Sequence, residues 1–171
     1  GWAVPADGTL TGTQSAISAT DTVIALSYGG TAASPADYGR PASVTIPAGD
    51  LTATVTLTII DDTAVEGAET VIVSLDSITS GLATIGTPAS ATNTIADNDT
   101  VTVSIANTTN GSEAGPADGT LTVTQSGISA TDTVIALSYG GTAASPADYG
   151  RPASVTILAG DLTATITLTI I

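Results

Sequence analysis

The chain has 171 residues, and its 16 acidic side chains against only two basic ones give it a formal net charge of -14 at pH 7. Such a charge excludes binding to nucleic acid or to an anionic membrane through a basic patch. The sequence contains neither Cys nor His, which excludes disulfides, soft-metal sites and nucleophiles activated by imidazole. Hard oxygen ligands remain as the available site chemistry.

The apolar residues are Val, Ile, Leu and Ala, with no Phe or Met, and Thr is abundant. Branching at Cβ favours pleated strands over helices. No apolar run approaches the roughly 20 residues that span a bilayer, so we expect no membrane insertion. The first residues do not show a charged and then apolar leader, so if the protein is exported, its signal is expected outside this sequence.

An internal repeat organises the chain. Residues 1–60 recur as residues 112–171 at a shift of 111, with seven differing positions. Such near-identity indicates a tandem array, in which a unit of about 100 residues can bury its own core. We expect residues 1–100 to form one repeat without its first strand, and residues 101–171 to form a partial repeat.

In chain order, apolar and polar alternation predicts strands at residues 8–14, 22–28, 43–47, 51–59, 70–75, 92–96 and 101–106. Residues 51–59 alternate completely, with Thr on one face and apolar side chains on the other. Turn-forming residues separate the strands, and no helical periodicity is present. About seven short strands of this kind predict an antiparallel β-sandwich, whose strands we label A to G. The partial repeat then has strands A to E and lacks F and G.

An acidic loop follows the strand that ends at Ile59. Asp61, Asp62, Glu66 and Glu69 lie within nine positions, with the carbonyl of Ala64 between them. Ca²⁺ takes roughly 6 to 8 oxygens from carboxylates, carbonyls and water, so an ion would explain the crowding. The alternative is a solvated acidic loop, as most charge runs are.

The topology favours the ion. If consecutive strands run up and down, the A–B, C–D and E–F loops and the end of strand G share one pole of the sandwich. Like charges gathered there repel one another without a cation. Seven carboxylates of the first repeat exceed what one divalent ion neutralises, so we expect two or more Ca²⁺ ions per complete repeat. These carboxylates belong to Asp37, Asp61, Asp62, Glu66, Glu69, Asp97 and Asp99.

Four ordered motifs carry a resemblance to a known family. They are Gly30-Thr31-Ala32 leading to Asp37-Tyr38, Pro47-Ala48-Gly49, Asp61-Asp62-Thr-Ala-Val-Glu66-Gly-Ala-Glu69-Thr70, and Ile95-Ala-Asp97-Asn98-Asp99. Together they are similar to the Calx-beta domain over essentially the whole chain. The resemblance implies an immunoglobulin-like sandwich with calcium at one end, as in regulatory domains of sodium-calcium exchangers and in repeats of microbial surface proteins.

The resemblance also implies the calcium ligands, which fall on Asp37, Asp61, Asp62, the Ala64 carbonyl, Glu66, Glu69, Asp97 and Asp99, with Glu113 in the A–B loop and Asp148 at the second copy's equivalent of Asp37. Three residues depart from the family pattern. Trp2 stands where the first copy's A–B glutamate is expected, Val71 replaces a frequent aromatic, and Asn98 interrupts the closing acids.

These features predict a calcium-binding structural repeat of an extracellular or cell-surface microbial adhesin, matrix or filament protein, in which calcium rigidifies the junction between repeats. The expected partners are neighbouring repeats or copies of the chain, including a head-to-tail filament. Missing strands would come either from neighbouring repeats or from another chain by strand exchange. The alternative function is a calcium-sensing regulatory domain. An enzyme is not expected, because the sequence offers no nucleophile and no pocket-forming insertion.

Overall fold

The computed structural model describes residues 6–171, so the expectation for Trp2 lies outside the described residues. The described chain divides into two compact units, residues 6–62 with 67–97 and residues 98–171 with 63–66. Within the described range the regular structure is entirely β. No helix there is long and apolar enough to cross a membrane.

The strands are β1 (Gly8–Thr13), β2 (Thr22–Gly30), β3 (Tyr38–Gly39), β4 (Ser43–Ile46), β5 (Thr52–Ile59), β6 (Glu69–Ser80), β7 (Ser90–Ile95), β8 (Val103–Thr109), β9 (Gly119–Gln125), β10 (Thr133–Ala136), β11 (Tyr149–Gly150), β12 (Ser154–Ile157) and β13 (Thr163–Ile170). The seven predicted strands all form, with ends shifted by at most five residues. The two-residue strand β3 was not predicted.

In the first unit, two antiparallel sheets pack face to face. One has the strand order β1-β5-β3 and the other β4-β2-β6-β7. The alternation of β5 places Val55 and Leu57 in the core while its Thr side chains face outward. Val71 and Val73 of β6 meet Leu57 from the opposite sheet. The predicted antiparallel, immunoglobulin-like β-sandwich is therefore confirmed.

Strand β6 is longer than predicted. The sequence indicated a strand over residues 70–75, but β6 runs through residue 80 because it pairs with almost the whole of β2. Two register shifts in this pairing, between Val23 and Ile24 and between Ala25 and Leu26, break the simple alternation that reveals a strand in the sequence.

The second unit has the sheet β11-β13-β9-β8 and the two-stranded sheet β10-β12. Its buried core consists of Val123, Val155, Ile157 and Ile166. Strands β9 to β13 are the counterparts of β1 to β5 at the shift of 111, and β8 is an additional strand before them. Identical sequence gives a nine-residue strand in β2 but only four residues in β10. The difference follows from pairing, because β2 bonds to both β4 and β6 while β10 bonds to β12.

Candidate metal centre

A tight turn between β2 and β3 positions Asp37. The Asp37 N–H donates to the Ala33 carbonyl (2.8 Å), and the Asp37 carboxylate accepts a short hydrogen bond from the Ala33 N–H. The Asp37 carbonyl accepts from the N–H of Ile60 (2.9 Å), directly after β5. These bonds fix the Asp37 side chain beside the start of the acidic loop, with part of its surface buried.

The second unit repeats this turn. The Asp148 carboxylate accepts from the Ala144 N–H (2.7 Å), and the Asp148 carbonyl accepts from the Ile171 N–H (3.1 Å). The turn therefore forms from its own local sequence.

Two contacts hold the acidic loop and β6 in place. Gly67 adopts a positive φ of 81°, a conformation that side chains disfavour, and its N–H donates to Asp97 Oδ2 (3.0 Å). The loop is thereby tied to the residues that follow β7. On the other side, the N–H groups of Thr31 and Ala32 both donate to the Thr70 carbonyl (3.0 and 3.1 Å), which places the segment before Asp37 next to Glu69.

These constraints bring two carboxylates of the first unit together. Oxygens of Asp37 and Glu69 lie within 4.8 Å of one another. Both residues are half-buried, and Glu66, also a predicted ligand, is exposed. Two hard oxygen donors at this spacing suit a divalent cation of the calcium or magnesium type, and a soft metal would not select them.

The other predicted ligands lie outside this group. Asp61 and Asp62 are exposed at the start of the loop, whereas Ala64, Asp97 and Asp99 are half-buried. Asp97 is linked to the loop through Gly67, as described above. In the second unit, Glu113 and Asp148 both line one cavity. Ligation by these residues, and the presence of two or more ions, remain predictions.

Each unit also contains an Arg–Tyr pair that the sequence analysis did not single out. The guanidinium of Arg40 lies 4.6 Å above the Tyr28 ring, and Arg151 lies at the same distance above Tyr139. The Tyr28 hydroxyl donates to the Pro41 carbonyl (2.6 Å). Burial raises the pKa of Tyr28, although Arg40 opposes the shift and Tyr38 adds to it. In the sequence, this pair could have been found from the recurrence of the only two basic residues, Arg40 and Arg151, 111 positions apart.

Comparison with known proteins adds the following findings. The family model described as Calx-beta domain matches residues 10–99, just over half of the chain. The chain is similar to the crystal structure of calcium binding domain CBD12 of CALX1.1, with 19% identity, a TM-score of 0.48, and coverage of 96% of this chain and 69% of that one. For CBD12 from CALX1.2 the values are 19%, 0.47, 96% and 68%. No curated protein sequence matches significantly.

Proposed function

The chain belongs to the Calx-beta family, and from that membership we propose that it is a calcium-binding structural repeat. The observation that carries the proposal is the pair formed by Asp37 and Glu69, whose carboxylate oxygens lie within 4.8 Å of one another. Asp37 precedes β3 and Glu69 begins β6, so the strands β3, β4 and β5 separate the two residues in sequence. In a chain with net charge -14, such a cluster is costly unless a cation offsets the repulsion.

Bound calcium would supply two positive charges and accept hard oxygen ligands around itself. The chain's own residues prepare the place. The turn at Ala33 holds the Asp37 carboxylate, the Thr70 carbonyl fixes the neighbouring backbone, and the bond from Gly67 to Asp97 sets the far side of the loop. We assign Asp61, Asp62, the Ala64 carbonyl and Asp99 as further ligands of the same pole, by their place in the family motifs.

The structural role is an extracellular one in this proposal. Extracellular calcium-binding modules bind the ion weakly, and millimolar calcium outside cells fills such sites. Residues 97–99 connect the first compact unit to the second in sequence, so ordering Asp97 and Asp99 would stiffen the junction. We propose that the protein acts as a calcium-stiffened spacer in a microbial adhesin, matrix or filament, with neighbouring repeats or further copies of the chain as its partners.

Isothermal titration calorimetry with Ca²⁺ on the 171-residue chain tests this function. A spacer predicts saturable binding with dissociation constants of about 10⁻⁴ to 10⁻³ M, which the double substitution Asp37→Asn with Glu69→Gln abolishes. Micromolar affinity would instead support a calcium-sensing regulatory domain. The absence of any calcium heat above that of the doubly substituted chain would refute the calcium-binding function.

A further inference from the structure

A polar groove lies along the outer side of the first unit, lined by residues of β4 and β5 and by the segment between β3 and β4. Its volume is about 560 Å³, within the range of roughly 300–1,000 Å³ that small-ligand sites occupy. Five hydroxyl side chains and one guanidinium line it, from Ser43, Thr45, Thr54, Thr56, Thr58 and Arg40. The groove therefore offers many hydrogen-bonding groups and a single charge, which is positive.

The alternation of β5 supplies a row of hydroxyls. Thr54, Thr56 and Thr58 are exposed, whereas Val55 and Leu57 between them are buried. Side chains two residues apart on one face of a strand are spaced by about 6.7 Å, so the three threonines form a regular row. Strand β4 contributes the other two hydroxyls. Because a hydroxyl both donates and accepts, the row suits a ligand that carries several hydroxyls of its own.

The sheet topology explains why the groove is open. Strand β3 pairs with β5 through two residues, Tyr38 and Gly39. After Gly39 the chain leaves β5 and continues to β4, which pairs with β2 in the other sheet. Residues 52–57 of β5 are therefore paired to β1 on one side and to no strand of the described chain on the other. The groove forms where the two sheets diverge.

Tyr28 holds Arg40 in position at this groove. The guanidinium lies 4.6 Å from the centroid of the Tyr28 ring, and the Tyr28 hydroxyl donates to the Pro41 carbonyl (2.6 Å). The same ring packs at a centroid distance of 6.4 Å from the buried Tyr38. Stacking covers one face of the planar guanidinium and leaves the N–H donors at its edge. Arg40 thus presents a positioned fork of the kind that binds a carboxylate through two parallel hydrogen bonds.

The acidic residues of the chain are excluded from this place. No Asp or Glu lines the groove or the neighbouring cavity that Arg40 also borders, although the sequence has 16 acidic residues and only two basic ones. Charges outside the groove are screened over about 8 Å at physiological ionic strength. An anionic group in the groove therefore meets Arg40 as the only charge of the lining.

The second unit repeats the arrangement. Arg151 lies 4.6 Å from the centroid of the Tyr139 ring, and the Tyr139 hydroxyl donates to the Pro152 carbonyl (2.9 Å). Strand β8 pairs with β9, at the edge of the sheet opposite to β11, so it does not cover this side of β13. The threonines of the groove recur as Thr156, Thr165, Thr167 and Thr169. We therefore expect one site in each unit.

We propose that this groove binds a carboxylated sugar, a uronate, with its carboxylate on the Arg40 guanidinium and its hydroxyls along the threonine row. The carboxylate matches the guanidinium fork, and the sugar hydroxyls match side chains that both donate and accept. An Asp or Glu side chain of another protein would use Arg40 alone and leave the threonines without a role. The site goes beyond the proposed function, and it needs no calcium.

The test is an NMR titration of the ¹⁵N-labelled full chain with sodium D-glucuronate, in calcium-free buffer at constant ionic strength. Because the sequence has two Arg and no Lys or His, the side-chain Nε–Hε region contains two arginine signals, which Arg40→Gln assigns. We expect both signals, and the amides of residues 54–58 and 165–169, to shift saturably. D-Glucose, which lacks the carboxylate, and acetate, which lacks the hydroxyls, should each bind at least about tenfold more weakly.

Three variants locate the ligand in the first unit. Arg40→Lys keeps the charge but loses the fork, so it should weaken binding there by about tenfold. Thr56→Val removes one hydroxyl at constant shape and should weaken binding about fivefold. Thr9→Val is the matched control, because Thr9 is the cross-strand neighbour of Thr56, is also exposed and lies outside the groove. The Arg151 signal should respond as in the parent chain in all three variants, which verifies that each is folded.

Arginine signals that stay in place throughout the titration, or equal affinities for glucuronate and acetate, would overturn the proposal. Equal responses of Thr56→Val and Thr9→Val would also overturn it, because the hydroxyl row would then have no part in binding. So would a dimer in sedimentation whose Arg40 signal moves on dilution, since a carboxylate of a second copy would then occupy the guanidinium. The calcium titration of the proposed function is independent of these results, so the two functions can fail separately.

Discussion

Replacing Asp37 by Asn should change stability in opposite directions with and without calcium. The substitution keeps an oxygen that can accept from the Ala33 N–H but removes one charge from the carboxylate group. In chelator, that charge lies no more than 4.8 Å from a carboxylate oxygen of Glu69. Coulomb's law gives a repulsion of about 1 kcal/mol for this pair in a water-like dielectric and about 3.5 kcal/mol at an effective dielectric constant of 20.

Both side chains are only half-buried, and salt screens exposed charges, so we expect Asp37→Asn to stabilise the first unit by about 1 kcal/mol in chelator. For a domain of this size, that corresponds to a melting temperature higher by about 4–8 °C. In millimolar calcium the variant should melt below the parent chain, because it has lost a charged ligand and the binding free energy linked to it.

Asp148→Asn is the matched control. Its turn has the same hydrogen bonds as the turn at Asp37, but residues 112–171 repeat only residues 1–60, a segment that does not include Glu66 or Glu69. Thermal unfolding followed by circular dichroism, at neutral pH and low salt, should show the change of sign for Asp37→Asn only. A change of the same sign in both buffers, or the same response from Asp148→Asn, would refute the reasoning.

Three further predictions concern the packing of single residues. Leu57→Ala should destabilise its unit by about 3 kcal/mol, and Leu168→Ala by less than half of that, because only Leu57 is fully buried. Urea unfolding followed by hydrogen exchange of each unit measures both losses, and equal losses would contradict the burial argument. Gly30→Ala should lower the free energy of unfolding by about 3 kcal/mol, because the added Cβ would meet the Thr70 carbonyl oxygen. A thermal melt measures the loss, and an unchanged melting temperature would contradict it. Burial raises the pKa of Tyr28 above its usual value of about 10, so the folded chain holds the phenolic proton more tightly than the unfolded chain does. The stability linked to this proton is complete below about pH 10 and declines as the pH rises through the raised pKa. Tyr28→Phe should reduce that decline in an alkaline denaturation series, and an unchanged pH profile would contradict the argument.

The sequence predicts the fold class well because the alternation of polar and apolar side chains is visible within each strand. In β5, Thr alternates with Ala, Val, Leu and Ile, and the burial follows that pattern. The length of a strand is a different matter, since it depends on partners. Residues 22–30 and 133–141 are identical in sequence, yet the first forms nine residues of strand and the second four. No local propensity could have distinguished them.

The candidate site was predictable in part. Loop topology alone predicted that Asp37 would approach the acidic residues after β5, and the structure places it beside Glu69. The backbone bonds that position them were not predictable, because the Thr70 carbonyl and the Gly67 N–H carry no signal of their partners in the sequence. Strand β3 was missed for a similar reason, since two residues are too few to show alternation.

The central claim is that carboxylates of separate loops jointly hold a divalent cation, and diffraction from crystals grown in millimolar calcium tests it most directly. The account predicts anomalous density about 2.3–2.6 Å from oxygens of Asp37, Glu66 and Glu69. Well-ordered carboxylates at these positions, surrounded by water alone in ample calcium, would contradict it.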